Sequence, residues 1–387
     1  MLPLTSTRPK PMIEFHGKPF LEYVIEMLRE QGFERVLLLL GHLPDVIVDH
    51  FGDGSRWGLR IDYSISGADD LTTSRLQLAQ ERIDPVFLLM YCDNYWPMRF
   101  DHMWERYRAI DAPAMVTVYA NHDDFRRGKD SIAVNDDGLV TAFTRDRDIP
   151  ALRGVEISYA IIDRSVLALL PKQDELFEYA LYPQLVERRE LSAYMTDHRY
   201  YSVGSLQRLT ATERFLARRP AVLLDRDGTL NRRPPRAQYV SRPEDFQWLA
   251  GSLEALRLLK EAGYTVAVVS NQAGIGRGAM SERDLQAIHH KMLAEAEDAG
   301  GEIAAVYHCP HDWDEGCRCR KPAPGMLFDA QRELDLDLTR TPFIGDDERD
   351  GEAAEAAGCP FRLVDERATL LDAVSRLLAG RRQPVAP

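Results

Sequence analysis

The residues able to do chemistry fall into five short segments, all in the second half of the 387-residue chain. Asp225-Arg226-Asp227-Gly228-Thr229-Leu230-Asn231 follows the apolar run Ala221-Val222-Leu223-Leu224. Its carboxylates therefore leave a strand at its carboxyl end, where open α/β sheets build their sites. Two aspartates separated by one residue lie on the same side of an extended chain. Holding two like charges together is costly unless they share a cation or one keeps its proton. Three further segments supply what such a pair needs. Ser270-Asn271-Gln272 ends the next apolar run and offers a hydroxyl and an amide to phosphate oxygens. Lys321, in Arg320-Lys321-Pro322, neutralises a phosphate as a point charge. Gly345-Asp346-Asp347-Glu348-Arg349-Asp350 ends a later apolar run and brings a third acidic group of the kind that surrounds Mg2+. The last segment is Cys309-Pro310-His311 followed by Cys317-Arg318-Cys319. Four N/S ligands in that spacing make a closed tetrahedral Zn2+ set with no open position, which is a structural site. Cys319 stands two residues before Lys321, so the zinc would stiffen the loop that presents the lysine. Cys92 and Cys359 sit in apolar surroundings and read as small core residues.

Positioning these residues requires strands that end where the polar segments begin. The pattern predicts a strand from Ala221, helix 252–262, strand 265–270, helix 281–299, strand 304–308, helix 326–334, strand 342–345 and helix 351–357. The first half gives helix 20–31, strand 35–40, helix 43–51, strand 60–66, helix 71–81, strand 86–91, helix 101–109 and strand 114–120. A helix over 206–216 follows, and Pro220 stops it. Strands such as Val36-Leu37-Leu38-Leu39-Leu40 are continuous apolar runs, the mark of parallel sheets covered on both faces. The expected fold is two consecutive three-layer α/β domains with mostly parallel sheets, 1–219 and 220–387.

Composition narrows the classes. Apolar residues make up 45% and charged residues 28%, as in ordinary globular proteins. The net charge is −13 with both signs interspersed, so no basic stripe for nucleic acid is present. No apolar run approaches the ~20 residues that cross a bilayer. Residues 1–11 lack the apolar core of a signal peptide, and a cytoplasmic location is expected.

Taken together, the four phosphate-site segments resemble those of the haloacid dehalogenase (HAD) superfamily of phosphatases over residues 221 to about 378. The resemblance implies that Asp225 is the nucleophile and Asp227 the general acid/base. Ser270 and Lys321 would hold the transferring phosphoryl group, with Thr229 and Asn271 among the phosphate-binding residues. Asp225, Asp346 and the Asp227 main-chain carbonyl would hold Mg2+, with Asp347 and Asp350 supporting it. The zinc loop, with Ser-Asn-Gln-Ala-Gly-Ile-Gly-Arg-Gly and Cys-Arg-Lys-Pro-Ala-Pro-Gly-Met, is similar to that of the D-glycero-D-manno-heptose 1,7-bisphosphate phosphatases and the related histidinol-phosphatases. Arg277 and Arg320 would then reach a second phosphate or sugar hydroxyls. A phosphorylated sugar is the expected substrate, and histidinol phosphate the alternative.

The first domain resembles sugar-phosphate nucleotidyltransferases. The matching residues are Leu2-Pro3-Leu4-Thr5, Arg8-Pro9-Lys10-Pro11-Met12, Gly17-Lys18-Pro19-Phe20-Leu21-Glu22 and Leu88-Leu89-Met90-Tyr91-Cys92-Asp93. That resemblance implies phosphate contact at Lys10, metal binding at Asp93 and a nucleoside triphosphate as partner. Two departures weaken it. The family's Gly-rich phosphate loop precedes the Leu-Pro-Leu-Thr position and is absent here. Ser202, in Tyr201-Ser202-Val203-Gly204-Ser205, stands where the family carries a second metal-binding aspartate. The domain is therefore expected to be impaired in nucleotidyl transfer; alternatives are a bifunctional enzyme or a non-catalytic binding module.

Overall fold

A computed structural model describes residues 7–120, 131–144, 151–235 and 238–381. The chain forms two compact units, Met1–Leu216 and Ala217–Pro387. No helix among the described residues is long and apolar enough to cross a membrane.

The second unit carries a parallel sheet in the order Ala305–Cys309, Thr265–Asn271, Ala221–Leu224, Phe343–Gly345 and Phe361–Leu363. Strand alternation splits its side chains between two cores. Val222, Leu224, Val266 and Val268 pack with Leu256, Leu285 and Ile288 on one face. Ala221, Leu223, Ala267 and Val269 pack with Met326, Leu327 and Phe343 on the other. Helices Ser252–Glu261 and Glu282–Asp298 supply the first cover, and Gly325–Leu334 and Glu348–Ala356 the second. Ser281 opens its helix with a capping box to Asp284. Asp347 does the same through Asp350, so that helix begins at Glu348, three residues before the sequence pattern placed it.

In the first unit helix Phe20–Glu30 buries Phe20, Leu21, Val24 and Ile25. Strand Arg35–Leu40 pairs in parallel with Arg60–Ile65. A second sheet runs Leu191–Thr196, Ala114–Tyr119, Val155–Asp163 and Val86–Met90. Leu191–Thr196 is parallel to Ala114–Tyr119, while Val155–Asp163 runs antiparallel to both of its neighbours. That long strand, with Glu156 and Ser158 interrupting its apolar residues, is missing from the sequence pattern. A bulge between Glu156 and Ala160, with Ser158 at φ 65°, lets it change register there.

Candidate active site

Adjacent strand ends build the site in the second unit. Ala221–Leu224 lies between Thr265–Asn271 and Phe343–Gly345, and all three run the same way. Asp225, Ser270 and Asp346 therefore emerge side by side. Oxygens of Asp225, Asp346 and Asp350 come within 4.8 Å of one another. Lys321 is buried among them: its Nζ is 2.5 Å from Asp225 Oδ1 and 2.6 Å from Asp350 Oδ1, and it donates to the Val269 carbonyl at 2.9 Å.

Burial pushes the Asp225 carboxyl up to about 7; Lys321 opposes the rise and Asp350 adds to it. Burial also pulls on the Lys321 ammonium, but its two carboxylate partners outweigh that and hold it above the ordinary lysine range. Asp346 is raised to about 6, again by burial, against the Arg233 guanidinium 2.9 Å away. The other oxygen, Asp346 Oδ1, is buried with no hydrogen-bond partner. An orphaned carboxylate oxygen beside two more carboxylates is the donor set that a hard cation fits. Gly228, at φ +107°, lies against Asp346, whose carboxylate would collide with any Cβ at that position.

Asp227 faces a different set of partners. It accepts from Arg226 Nη2 and Gln272 Nε2, each at 2.8 Å, and from Asn231 Nδ2 at 2.9 Å. Burial favours its protonated form, but the Arg226 charge and these hydrogen bonds prevail and hold it below the usual carboxylate range. Arg226 is fully buried and also reaches Gln272 Oε1 at 3.0 Å and His289 at 3.3 Å. Burial pushes His289 down to about 3. Asp347 turns to Arg349 and Arg233 while capping its helix, and these contacts, Arg349 foremost, hold it well below the carboxylate range. Among the acidic residues of its segment, Asp350 and Asp346 join Asp225, and Asp347 does not.

The remaining expected ligands divide by distance from this centre. Ser270 Oγ is buried and accepts from Gln272 Nε2 at 2.7 Å. Thr229 Oγ1 is buried without a hydrogen-bond partner. Asn271 spends both ends of its amide on the Lys321 main chain, at 3.0 Å each. Arg277 pairs with Asp312 at 2.9 Å and stacks over Trp313 at 4.0 Å. Arg320 donates to the His311 carbonyl at 3.4 Å. The atoms Cys309 Sγ, His311 Nδ1, Cys317 Sγ and Cys319 Sγ stand 3.2–3.5 Å apart along five of their six pairings. Arg226, Gln272, Asn231, Arg233 and His289 have site roles the sequence reading did not assign. Arg226, Asn231 and Gln272 lay inside the quoted segments, whereas His289 comes from a helix face with no motif to mark it.

In the first unit Lys10 is exposed, and Cys92, beside Asp93, is part-buried. Asn94 pairs with Ser202 across a short ladder, and the Asp93 carbonyl accepts from Val203 at 3.0 Å. Ser202 Oγ accepts from Arg208 Nη1 at 2.8 Å. Residues 2–5 of the expected phosphate-side motif lie outside the described residues.

Known proteins match the two units separately. The nucleotidyl transferase family model matches residues 1–219, and the HAD-hydrolase-like model matches residues 318–384. A D-glycero-beta-D-manno-heptose-1,7-bisphosphate 7-phosphatase from Bordetella bronchiseptica is 43% identical over 143 residues, covering 37% of this chain and 79% of that protein. The crystal structure of a D,D-heptose 1,7-bisphosphate phosphatase from the same organism, complexed with magnesium and phosphate, aligns with 37% identity and a TM-score of 0.40. It covers 42% of this chain and 99% of that one. HddC from Yersinia pseudotuberculosis aligns with 19% identity and a TM-score of 0.45, over 53% of this chain and 88% of its own.

Proposed function

The chain belongs to the nucleotidyl transferase family through residues 1–219 and to the HAD-type heptose bisphosphate phosphatases through its second unit, and from that membership we propose a sugar-bisphosphate phosphatase. Its substrate is D-glycero-D-manno-heptose 1,7-bisphosphate and its product the heptose 1-phosphate. The observation that carries this reading is the meeting of Asp225, Asp346, Asp350 and Lys321 at adjacent strand ends.

In this reading an Asp225 oxygen attacks phosphorus, the bond to the sugar oxygen breaks, and Asp227 gives that oxygen its proton. An aspartyl-phosphate results. Asp227 then takes a proton from water, the water oxygen attacks phosphorus, and Asp225 is released with inorganic phosphate. The low pKa of Asp227 in the free protein suits this second step. A substrate dianion beside it raises that pKa and loads the proton for the first. Lys321 and Ser270 hold the equatorial oxygens, where charge accumulates. Asp225, Asp346 and the Asp227 main-chain carbonyl would hold Mg2+, which would supply further positive charge for that oxygen cluster. Cys309, His311, Cys317 and Cys319 would hold Zn2+, which would fix the loop that carries Lys321.

The substrate is tested by giving the protein heptose 1,7-bisphosphate and histidinol phosphate side by side. The heptose ester should be preferred by at least about 100-fold in kcat/KM, an effect of roughly 2.7 kcal/mol in transition-state binding. Preference for histidinol phosphate would refute this substrate while leaving the phosphatase reading in place.

A second reading concerns the first unit, which transfers nucleotidyl groups poorly if at all. At the position where a second metal-binding carboxylate is expected, a neutral hydroxyl accepts from the Arg208 guanidinium. Positive charge there opposes a dication. Pyrophosphate release from a sugar 1-phosphate and nucleoside triphosphates measures it, and sustained release by the 387-residue chain would overturn it.

A further inference from the structure

The two oxygens of Asp227 are not equivalent. Oδ2 accepts twice, from Arg226 Nη2 and from Gln272 Nε2, each at 2.8 Å, and Oδ1 accepts once, from Asn231 Nδ2 at 2.9 Å. A carboxylate oxygen has two acceptor sites, so Oδ2 is full. Among the described residues one site stays open on Oδ1. A proton bound for a leaving oxygen is therefore carried at Oδ1.

Arg226 sets this difference. A guanidinium only donates, so the Gln272 amide must turn its Oε1 to Arg226 Nη2, at 3.0 Å. Its Nε2 is then left for Asp227 Oδ2 and, at 2.7 Å, for Ser270 Oγ. The guanidinium is fully buried, and its Nε–H has no acceptor. Its Nη1 donates to His289 Nε2 at 3.3 Å. His289 stands on helix Glu282–Asp298, in the stripe of Leu285, Ile288 and Met292 that packs on the sheet. Packing alone would suit a leucine there. The ring instead turns Nε2 to Arg226 and lies edge-on to His308, with ring centres 5.7 Å apart. Burial pushes His289 down to about 3, so it stays neutral and keeps the lone pair that Arg226 needs.

We infer that His289 is a positioning residue for proton transfer: it fixes Arg226, and through it Gln272 and Asp227, so that Asp227 Oδ1 alone carries the proton to the leaving oxygen. The inference rests on the proposed phosphatase chemistry and extends it to a residue outside every motif. Without an acceptor at position 289, Nη1 joins Nε as an unpaired donor of a buried cation, which is costly. The guanidinium then turns to find a partner, and Nη2 leaves the oxygen it had filled.

Leaving groups of different basicity separate this role from packing. The ratio kcat/KM reports the steps up to the aspartyl-phosphate. In those steps 2,4-dinitrophenyl phosphate needs no proton donor, because its leaving anion is already stable, whereas phenyl phosphate and the heptose bisphosphate do. His289→Leu and His289→Phe fill the space without offering an acceptor. Each should lower kcat/KM about 10–100-fold on the last two substrates and less than about threefold on the dinitrophenyl ester. Turnover of that ester also shows the variants to be folded. His289→Gln, whose Oε1 accepts from Arg226, should return phenyl phosphate to within about threefold of wild type. Equal losses on all three substrates, no loss on any, or a glutamine variant no better than the other two would overturn the inference. Asp227→Asn is the reference and should show the same leaving-group pattern more strongly. If it lost all three substrates equally, the proton-transfer step of the proposed function would fail and this inference with it. A pattern present in Asp227→Asn and missing from the His289 variants overturns the inference alone.

Discussion

Two strands of nearly the same composition have opposite fates in the two units. Ala221-Val222-Leu223-Leu224 is paired on both edges and wholly buried, whereas Val36-Leu37-Leu38-Leu39-Leu40 is paired on one edge and only part-buried until Leu40. An apolar run states what a strand needs on its faces and says nothing of whether a neighbour stands at each edge. The candidate site residues follow the same division. Where the sheet is paired on both edges, carboxylates at its strand ends meet around one lysine; in the first unit Ser202 accepts from the Arg208 guanidinium instead.

The strongest test of this contrast is Asp225→Asn. Phosphatase turnover should fall by at least about 1,000-fold with the circular dichroism spectrum unchanged, since the nucleophile is lost at constant shape. A residual rate above a few per cent would place the chemistry elsewhere. Next comes a matched pair of core truncations. Leu224→Ala should cost its unit about 2–5 kcal/mol, and Leu38→Ala less, because Leu38 packs on its core while only part-buried. Denaturant titration followed unit by unit measures both, and equal costs would mean that Leu38 is as closely packed in solution as Leu224.

Smaller effects come from the zinc loop and from one buried carboxyl. Elemental analysis should find one zinc in the wild-type protein and none in Cys317→Ser, whose kcat should fall about 10–100-fold through misplacement of Lys321. Full activity in a zinc-free protein would sink that role. Asn271→Ala should lower kcat in the same direction, about tenfold, by detaching the Lys321 main chain from the neighbouring strand end. Burial pushes Glu156 up to about 8. The unfolded chain gives up that proton near 4.5, so the stability of the first unit should fall as pH rises from about 4.5 to 8 and then level off. Glu156→Gln should flatten that decline in a thermal-melt series; an unchanged slope would remove Glu156 as its source.

The candidate site was largely legible because its residues sit in strand–turn segments whose polar types are out of place after apolar runs. Asp225, Ser270 and Asp346 leave neighbouring parallel strands at the same edge, and Lys321 reaches Asp225 from a loop. The partners that orient Asp227 were less legible. Arg226 reads as a surface residue until the fold shows its guanidinium fully buried against Gln272 and His289. Asn271 offered an amide suited to phosphate, and only the fold shows both ends used on the Lys321 main chain. Val155–Asp163 escaped because strand patterns rest on side chains, and its place is set by a bulge and two antiparallel neighbours.

One feature of the site bears on how the sequence can drift. At Gly228 a positive φ coincides with the Asp346 carboxylate, so even a single methyl group has no place to go. Neighbouring positions have exchanges that keep charge or hydrogen bonding, such as serine and threonine at 229. Position 228 has none, because what it contributes is the absence of atoms. Variation across a mutational library should therefore be narrower there than at Thr229, although glycine takes no part in the chemistry.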